Sequence, residues 1–471
     1  MPGYIITCPY CFKEFDDSEF AFRSDIYYDE LNDTYGANDI PREYIRQYTY
    51  GVSEKYKKFW DIYGGIYTEK DIYNKNYRGT VLPYEYPVIS GDLITQIHVD
   101  DDNFVIGATD VCKNDRLSRK VCPHCNNPIP GTYGKHPIKR IAVIGIRGSG
   151  KTVYLSQLMD RFEDYVINCG LTAWPLSGQE NAFVRNHPVR RGVPLPESTP
   201  PLNLSQPLFY DIVQNKGITN ETNTIVLYDI AGENCIKADD MNKYGEFVKN
   251  ADGLILLIDP RQLGFDPNEN EGEQRAETVI QTLYNTMISR SSMDNKSMIP
   301  TAVCISKSDQ YRDFLPELAQ QSIGIDNDQN GMFRMGFNGR EYNQLLRELR
   351  PIINNNAGGL SSSLESRYHI YNYFALCAIG CNVTINMNGD REEKTPQLTP
   401  TPRRIEEPLI WMFKQFGYIT SNENVELPNM RFGERKAKKS LLKFWEKPTI
   451  ERFEIRTEEA WLEYLSEVEK T

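Results

Sequence analysis

The sequence predicts an α/β protein built on a doubly wound, mostly parallel sheet with one antiparallel strand, and three observations carry that expectation. Ile141, Ala142, Val143 and Ile144, entered from Arg140, lead into Gly145-Ile-Arg-Gly-Ser-Gly150-Lys151-Thr152, and a helical pattern follows at once: strand, glycine-rich loop, helix. Residues 251–259 (ADGLILLID) and 301–305 (TAVCI) are nearly all apolar, the composition of strands covered on both faces. The runs 208–213 and 224–228 are joined by residues 214–223, too short a connection for a crossover helix, so these two strands pair as an antiparallel hairpin.

Composition sets the outer bounds. A chain of 471 residues has room for two or three domains, and 40% hydrophobic with 25% charged residues is ordinary for a soluble protein, although 29 tyrosines is rich. A net charge of −12 argues against a general nucleic-acid binder, so nucleic acid is not an expected partner. No run is long and apolar enough to span a membrane, and the N-terminus MPGYIITCPYC lacks both a basic segment and an apolar signal core, which predicts a cytoplasmic protein. Ten cysteines in such a chain are not a disulfide framework; two Cys-x-x-Cys pairs point to a metal.

The first expected domain, residues 1–136, is a split zinc ribbon. Cys8-Pro-Tyr-Cys11 and Cys122-Pro-His-Cys125 are tight knuckles that each aim two thiolates at one point, and together they complete the four-sulfur shell of structural Zn²⁺. Two unrelated reduced thiol pairs or a redox site is the alternative, and Cys112 and His124 are spare ligands. Residues 12–121 are then an inserted α/β domain, with a helix near 53–60 and a β-hairpin over 92–108 that turns at Asp100-Asp-Asp-Asn103. The acidic triplet reads as a solvated turn, because the spaced ligands and closing glutamate of a calcium loop are missing. His98 and His136 have no partners at metal spacing and read as surface or core residues.

The second expected domain, residues 137–420, holds the chemistry. Glycines at 145, 148 and 150 let backbone N–H groups converge where phosphate oxygens can sit, helped by Ser149 in the loop and by the N-terminus of the following helix. Lys151 would neutralise the β- and γ-phosphates and Thr152 would offer a hydroxyl to Mg²⁺. The helix is expected to run to about 169, with Val153, Leu155, Leu158, Met159, Phe162 and Val166 on its apolar side. The Pro-, Gly- and Ser-rich stretch 175–207 reads as too irregular for a packed element; within it Thr199 is either a second Mg²⁺ ligand or a plain turn residue. Asp229-Ile-Ala-Gly232-Glu233 ends the strand of 224–228, where a carboxylate can hold Mg²⁺ through water and a glycine N–H can meet the γ-phosphate. Ser306-Lys307-Ser308-Asp309 follows the strand 301–305; its carboxylate can accept two hydrogen bonds from guanine that adenine does not offer, while the Lys307 stem covers the ring. Helices are expected near 276–289, 342–353 and 406–418, the last with Pro408 in its first turn, and a final strand near 371 leads to Cys377-Ala378, whose backbone could touch guanine O6. The tail, 421–471, is basic and aromatic. Arg431, Arg435, Lys436, Lys438, Lys439, Lys443 and Lys447, interleaved with apolar residues, read as a helix that either docks on a partner or packs its apolar side on the body.

Together these residues resemble the Ras-like branch of the TRAFAC P-loop GTPases, and ADGLILLIDP and RRIEEPLIWMF beside the cysteine knuckles resemble the bacterial double-GTPase family of conflict and defence systems. The resemblance spans about residues 138–417. It implies a Ras-like nucleotide domain in which Gly145–Thr152 is the phosphate loop, Thr199 the first switch, Asp229 to Glu233 the second, Ser306 to Asp309 the base-recognition motif and Cys377-Ala378 its supporting loop. Ser306 stands where Asn or Thr is usual, which weakens a loop-bracing hydrogen bond; Cys377 replaces the usual Ser; and Glu233 stands where many relatives carry the glutamine that orients water. Arg147 is a built-in charge stabiliser, an obstruction to a partner's arginine, or a solvent-facing side chain. The implied function is a GTP-binding switch with slow, Mg²⁺-dependent hydrolysis that regulates a defence or signalling system through a protein effector or regulator; with one P-loop in this chain, a second GTPase would be another chain. The competing readings are a non-hydrolysing GTP-binding scaffold whose ribbon and insert bind a protein, and an ATPase or kinase, which would leave the hairpin and Ser306-Lys307-Ser308-Asp309 unexplained.

Overall fold

The computed structural model describes residues 3–24, 54–63, 88–111, 117–145, 148–196, 205–215, 219–231, 238–263, 276–287, 295–323, 336–388, 391–436 and 450–470. Arg147, Thr199, Gly232 and Glu233 lie outside them, as do Cys112 and the lysines at 438, 439, 443 and 447. The chain divides into two compact units: Met1–Ala142 with Thr172–Ala182 and Thr199–Ala251, and Val143–Leu171 with Phe183–Ser198 and Asp252–Thr471.

The chain opens with β1 (Ile5–Thr7), β2 (Glu14–Asp16), β3 (Ala21–Arg23), helix α1 (Glu54–Ile62), β4 (Val88–Ile89), β5 (Ile94–Val99), β6 (Val105–Asp110) and β7 (Arg119–Val121). β1 pairs with β2, β3 with both β4 and β7, and β5 with β6, all antiparallel. The β5–β6 hairpin turns at the acidic triplet as expected. Asp100 Oδ1 accepts the backbone N–H groups of Asp102 and Phe104, each at 3.0 Å, and Lys135 Nζ lies 2.6 Å from carboxylate oxygens of both Asp100 and Asp102. Lys135 thus bridges the two outer acids of the turn.

Next come β8 (Ile138–Gly145), α2 (Lys151–Asp160), α3 (Phe162–Ile167), β9 (Leu171–Pro175), α4 (Gln179–Asn186), β10 (Leu208–Asn215), β11 (Asn220–Ala231), α5 (Ala238–Lys249), β12 (Gly253–Ile258), α6 (Ala276–Met287), β13 (Thr301–Ile305), α7 (Gly339–Asn356), α8 (Gly358–Arg367) and β14 (Tyr371–Ala375). Seven strands make one sheet in the order β14-β13-β12-β8-β11-β10-β9. β12, β13 and β14 are parallel neighbours and β10–β11 is the antiparallel hairpin, with Asp211 opposite Thr224. Every residue of β12, β13 and β14 is buried, which is why their sequences read as unbroken apolar runs. The chain ends with β15 (Val383–Asn388) and β16 (Arg391–Pro396), an antiparallel pair; α9 (Glu407–Gln415) with Pro408 in its first turn; and β17 (Glu426–Lys436), β18 (Ile450–Thr457) and α10 (Glu458–Glu469).

Three expectations are corrected. The long helix after Thr152 breaks at Arg161 into α2 and α3, and α2 is buried on every side from Lys151 to Met159. Its polar side survives burial because Ser156 Oγ donates to His187 O at 2.6 Å and Gln157 Nε2 to Val189 O at 3.1 Å. The stretch 175–207, expected to lack packed elements, contains α4. Ser177 Oγ accepts the Gln179 N–H and donates to the Glu180 carboxylate, and that carboxylate takes the Phe209 N–H at 2.8 Å, so a local cap offsets the breaker-rich composition. In the tail, the stretch expected to be helical begins as β17, paired with β18, and Arg431 is buried: its guanidinium stacks over Trp461 at 5.0 Å and donates to Tyr368 O at 3.0 Å.

Candidate functional site

The first centre is built by two short turns. Cys8 follows β1, and the Phe12 N–H returns to Cys8 O at 3.1 Å; Cys122 follows β7, and the Asn126 N–H returns to Cys122 O at 2.8 Å. Each turn closes on a non-glycine residue in the left-handed region, Phe12 at φ 56° and Asn126 at φ 55°. The turns bring all four sulfurs within 4.8 Å of one another, with Cys8 to Cys125 at 3.7 Å and Cys11 to Cys122 at 3.8 Å. A tetrahedron with Zn–S bonds of about 2.3 Å has sulfur–sulfur edges of about 3.8 Å, so the donor set fits a zinc ion. Burial holds the Cys8 thiol well above its ordinary value, a cost that a bound cation reverses. The sulfurs also accept N–H groups from Tyr10 at 3.4 Å and His124 at 3.4 Å, and the Asn127 amide donates to Cys125 Sγ at 3.3 Å. Asn127 is in turn fixed by the Trp60 indole of α1 at 2.9 Å. Helix α1 thus braces a ligand, a role that nothing in its amphipathic pattern announced.

The second centre starts at the end of β8. Gly148 and Gly150 sit at φ 78° and 77°, a backbone that L side chains rarely adopt, and Gly150 opens α2. Lys151, Thr152 and Ser149 are buried, at 7%, 6% and 3% exposure. Lys307, itself left-handed at φ 53°, brings its Cε to 3.9 Å from where a Cβ on Gly150 would stand. The motif Ser306-Lys307-Ser308-Asp309 is therefore beside the glycine loop, as one nucleotide touching both would require. The Ser306 hydroxyl donates to Ile258 O at 3.0 Å, joining the end of β13 to β12. The Ser308 N–H donates to Leu376 O at 3.1 Å, which ties the motif to the Cys377-Ala378 loop. Burial, and then the Asp309 carboxylate beside it, push the Cys377 thiol up to about 12.

Two residues here were not singled out from sequence. Asp259, 1% exposed at the end of β12, accepts Lys307 Nζ at 2.7 Å and the Arg261 guanidinium at 3.0 and 3.1 Å. Burial pushes this carboxyl up, but the Arg261 hydrogen bonds and the Lys307 charge outweigh burial and hold it below its ordinary value. Arg261 Nη2 stands 3.0 Å from where a Cβ on Gly148 would be, so glycine at 148 also makes room for this cation. The sequence signal was a carboxylate closing a wholly apolar strand, followed two residues later by a cation.

Asp229 lies near the end of β11, 4% exposed, and accepts Ser205 Oγ at 3.1 Å. A buried carboxylate such as that of Asp229 is a hard oxygen donor of the kind Mg²⁺ takes.

Residues 139–336 match the family model described as Double-GTPase 2. A protein of Mycolicibacterium smegmatis named as a candidate ESX-1 scaffolding and assembly protein, SaeC, is 26% identical over 149 residues, which is 30% of this chain and 38% of that protein's length. Among solved structures, Sup35 complexed with GDP is similar over 52% of this chain and 38% of its own, at 12% identity and a TM-score of 0.22. Sup35 complexed with GMPPNP covers the same shares at 13% identity and a TM-score of 0.21.

Proposed function

We propose that this chain, whose residues 139–336 match Double-GTPase 2, is a P-loop guanine-nucleotide switch of the Ras-like kind. The observation that supports the reading is the approach of Lys307 to Gly150, which brings Ser306-Lys307-Ser308-Asp309 beside the glycine loop. In this reading the loop Gly145–Thr152 cradles the phosphates, Lys151 neutralises the β- and γ-phosphates, and Asp309 reads guanine with Ser306, Lys307, Cys377 and Ala378 around the ring. Thr152, Thr199 and Asp229 would hold Mg²⁺, which supplies charge neutralisation at the γ-phosphate when bound. Water attacks the γ-phosphorus, the bond to the β,γ-bridging oxygen breaks, and GDP and inorganic phosphate leave. Glu233 would orient that water. A glutamate is a poorer orienter than a neutral glutamine beside an anionic phosphate, so turnover is slow. The four cysteines hold Zn²⁺ structurally, since a closed sulfur shell leaves no open position for chemistry.

The name of the mycobacterial relative supports a second reading, a scaffold that binds GTP without hydrolysing it while the zinc ribbon and insert bind a protein. A single experiment separates the readings: affinity for GTP, GDP and ATP with Mg²⁺, and released phosphate, on the wild type and Asp309→Asn. The switch predicts guanine preference in the wild type, its loss in Asp309→Asn by about 100-fold in the GTP/ATP ratio, and slow multiple turnover that depends on Lys151. Tight GTP binding without turnover supports the scaffold. Equal binding of ATP sinks the guanine assignment.

A further inference from the structure

Tyr228 and Asp229 are adjacent in β11, so their side chains leave opposite faces of the strand but share one stretch of backbone. Tyr228 is 1% exposed, and its hydroxyl donates to the Pro9 carbonyl at 2.9 Å, inside the first cysteine knuckle. Phe12, the left-handed residue that closes that knuckle, meets the Tyr228 ring at 6.1 Å and the Phe247 ring of α5 at 5.0 Å. Phe247 and Tyr228 are themselves edge-to-face at 5.2 Å, and Tyr63, beside α1, closes on Phe247 at 5.6 Å and on Tyr244 at 5.8 Å. The metal knuckle, the residue before Asp229 and the next helix described after it thus share one aromatic cluster. Such edge-to-face contacts favour one arrangement over sliding. A hydroxyl held on a carbonyl inside the knuckle adds direction to the packing.

We infer that Tyr228, Phe12 and Phe247 are positioning residues that lock Asp229 to the four-cysteine site, so that zinc there determines how firmly Asp229 is presented to a divalent cation. The role of Asp229 rests on the nucleotide reading above; the mechanical lock does not. Without metal, four clustered thiols relax apart, the Pro9 carbonyl and the Phe12 ring shift, and β11 loses its anchor beside Asp229.

The test uses the full chain loaded with Zn²⁺ and the same chain stripped with a chelator and desalted. Backbone hydrogen exchange is followed at 224–231, 238–249 and, as a reference, 301–305. Stripping should raise exchange in the first two segments by about ten-fold and leave the third unchanged. Tyr228→Phe, which keeps the ring and the zinc, should raise exchange at 224–231 less. It should also weaken GTP binding in Mg²⁺ about five-fold, the cost of one hydrogen bond, while leaving binding without added Mg²⁺ unchanged. Unaltered exchange at 224–231 after stripping, or an equal rise in all three segments, overturns the lock. If the wild type binds no nucleotide, the switch reading fails while the exchange result still decides the lock.

Discussion

Asp259 shows how one buried carboxylate can tie the parts of a candidate site together. Its Oδ2 serves Lys307 and Arg261 together, so the segment Ser306-Lys307-Ser308-Asp309 and the cation over Gly148 share one buried anchor. Removing its charge leaves the Lys307 and Arg261 cations facing one another without a compensating anion. Asp259→Asn should therefore weaken GTP and GDP binding by at least about ten-fold while the guanine preference proposed for Asp309 persists; titration calorimetry with GTP, GDP and ATP reads both effects. A loss of preference with unchanged affinity would contradict this assignment. From sequence Asp309 stood out because it closes a motif of fixed spacing, whereas Asp259 only ended a strand. Its importance comes from Lys307, 48 positions away, and the sequence holds no pattern linking the two.

At the scale of elements, the strands were the most legible part because burial on both faces leaves an unbroken apolar run, as in β12 and β13. Helix α4 was hidden because proline, glycine and serine dominate its neighbourhood, although Ser177-x-x-Glu180 is the spacing of a capping box. Ser177→Ala should destabilise the protein by about 1 kcal/mol, seen as a lower urea midpoint, and should leave the zinc content unchanged. The tail was misread for a different reason. Its charges suggested a solvated helix, but Arg431 is buried against Trp461, and Glu458 at the start of α10 accepts hydrogen bonds from Asn372 at 2.7 Å, Trp411 at 2.9 Å and Lys414 at 3.0 Å. A buried ion network of this kind cannot be told from surface charge by composition.

Over the whole molecule, stability should carry a pH signature from Glu406. Burial raises this carboxyl from an ordinary 4.5 to about 7. The folded chain thus keeps a proton that the unfolded chain has already lost, so the contribution is full below about 4.5 and disappears as pH rises through 7. Glu406→Gln should flatten that fall, measured as urea midpoints from pH 4.5 to 7.5. A profile that keeps its slope in the variant would place the titration elsewhere. Among the described residues no helix is long and apolar enough to cross a membrane.

What the sequence determined by itself was whatever neighbouring residues write together: the glycine loop, the apolar strands, the hairpin 208–228, the two knuckles and Ser306-Lys307-Ser308-Asp309. Each depends on backbone conformation over a few residues, and spacing records that directly. Only the tertiary structure decided which distant partners complete them: Trp60 bracing Cys125 through Asn127, Asp259 joining Lys307 to Arg261, and Tyr228 reaching Pro9 across 219 positions. Those contacts follow from how layers pack, and packing is satisfied by any side chain of suitable size and polarity, so no local pattern marks them in advance.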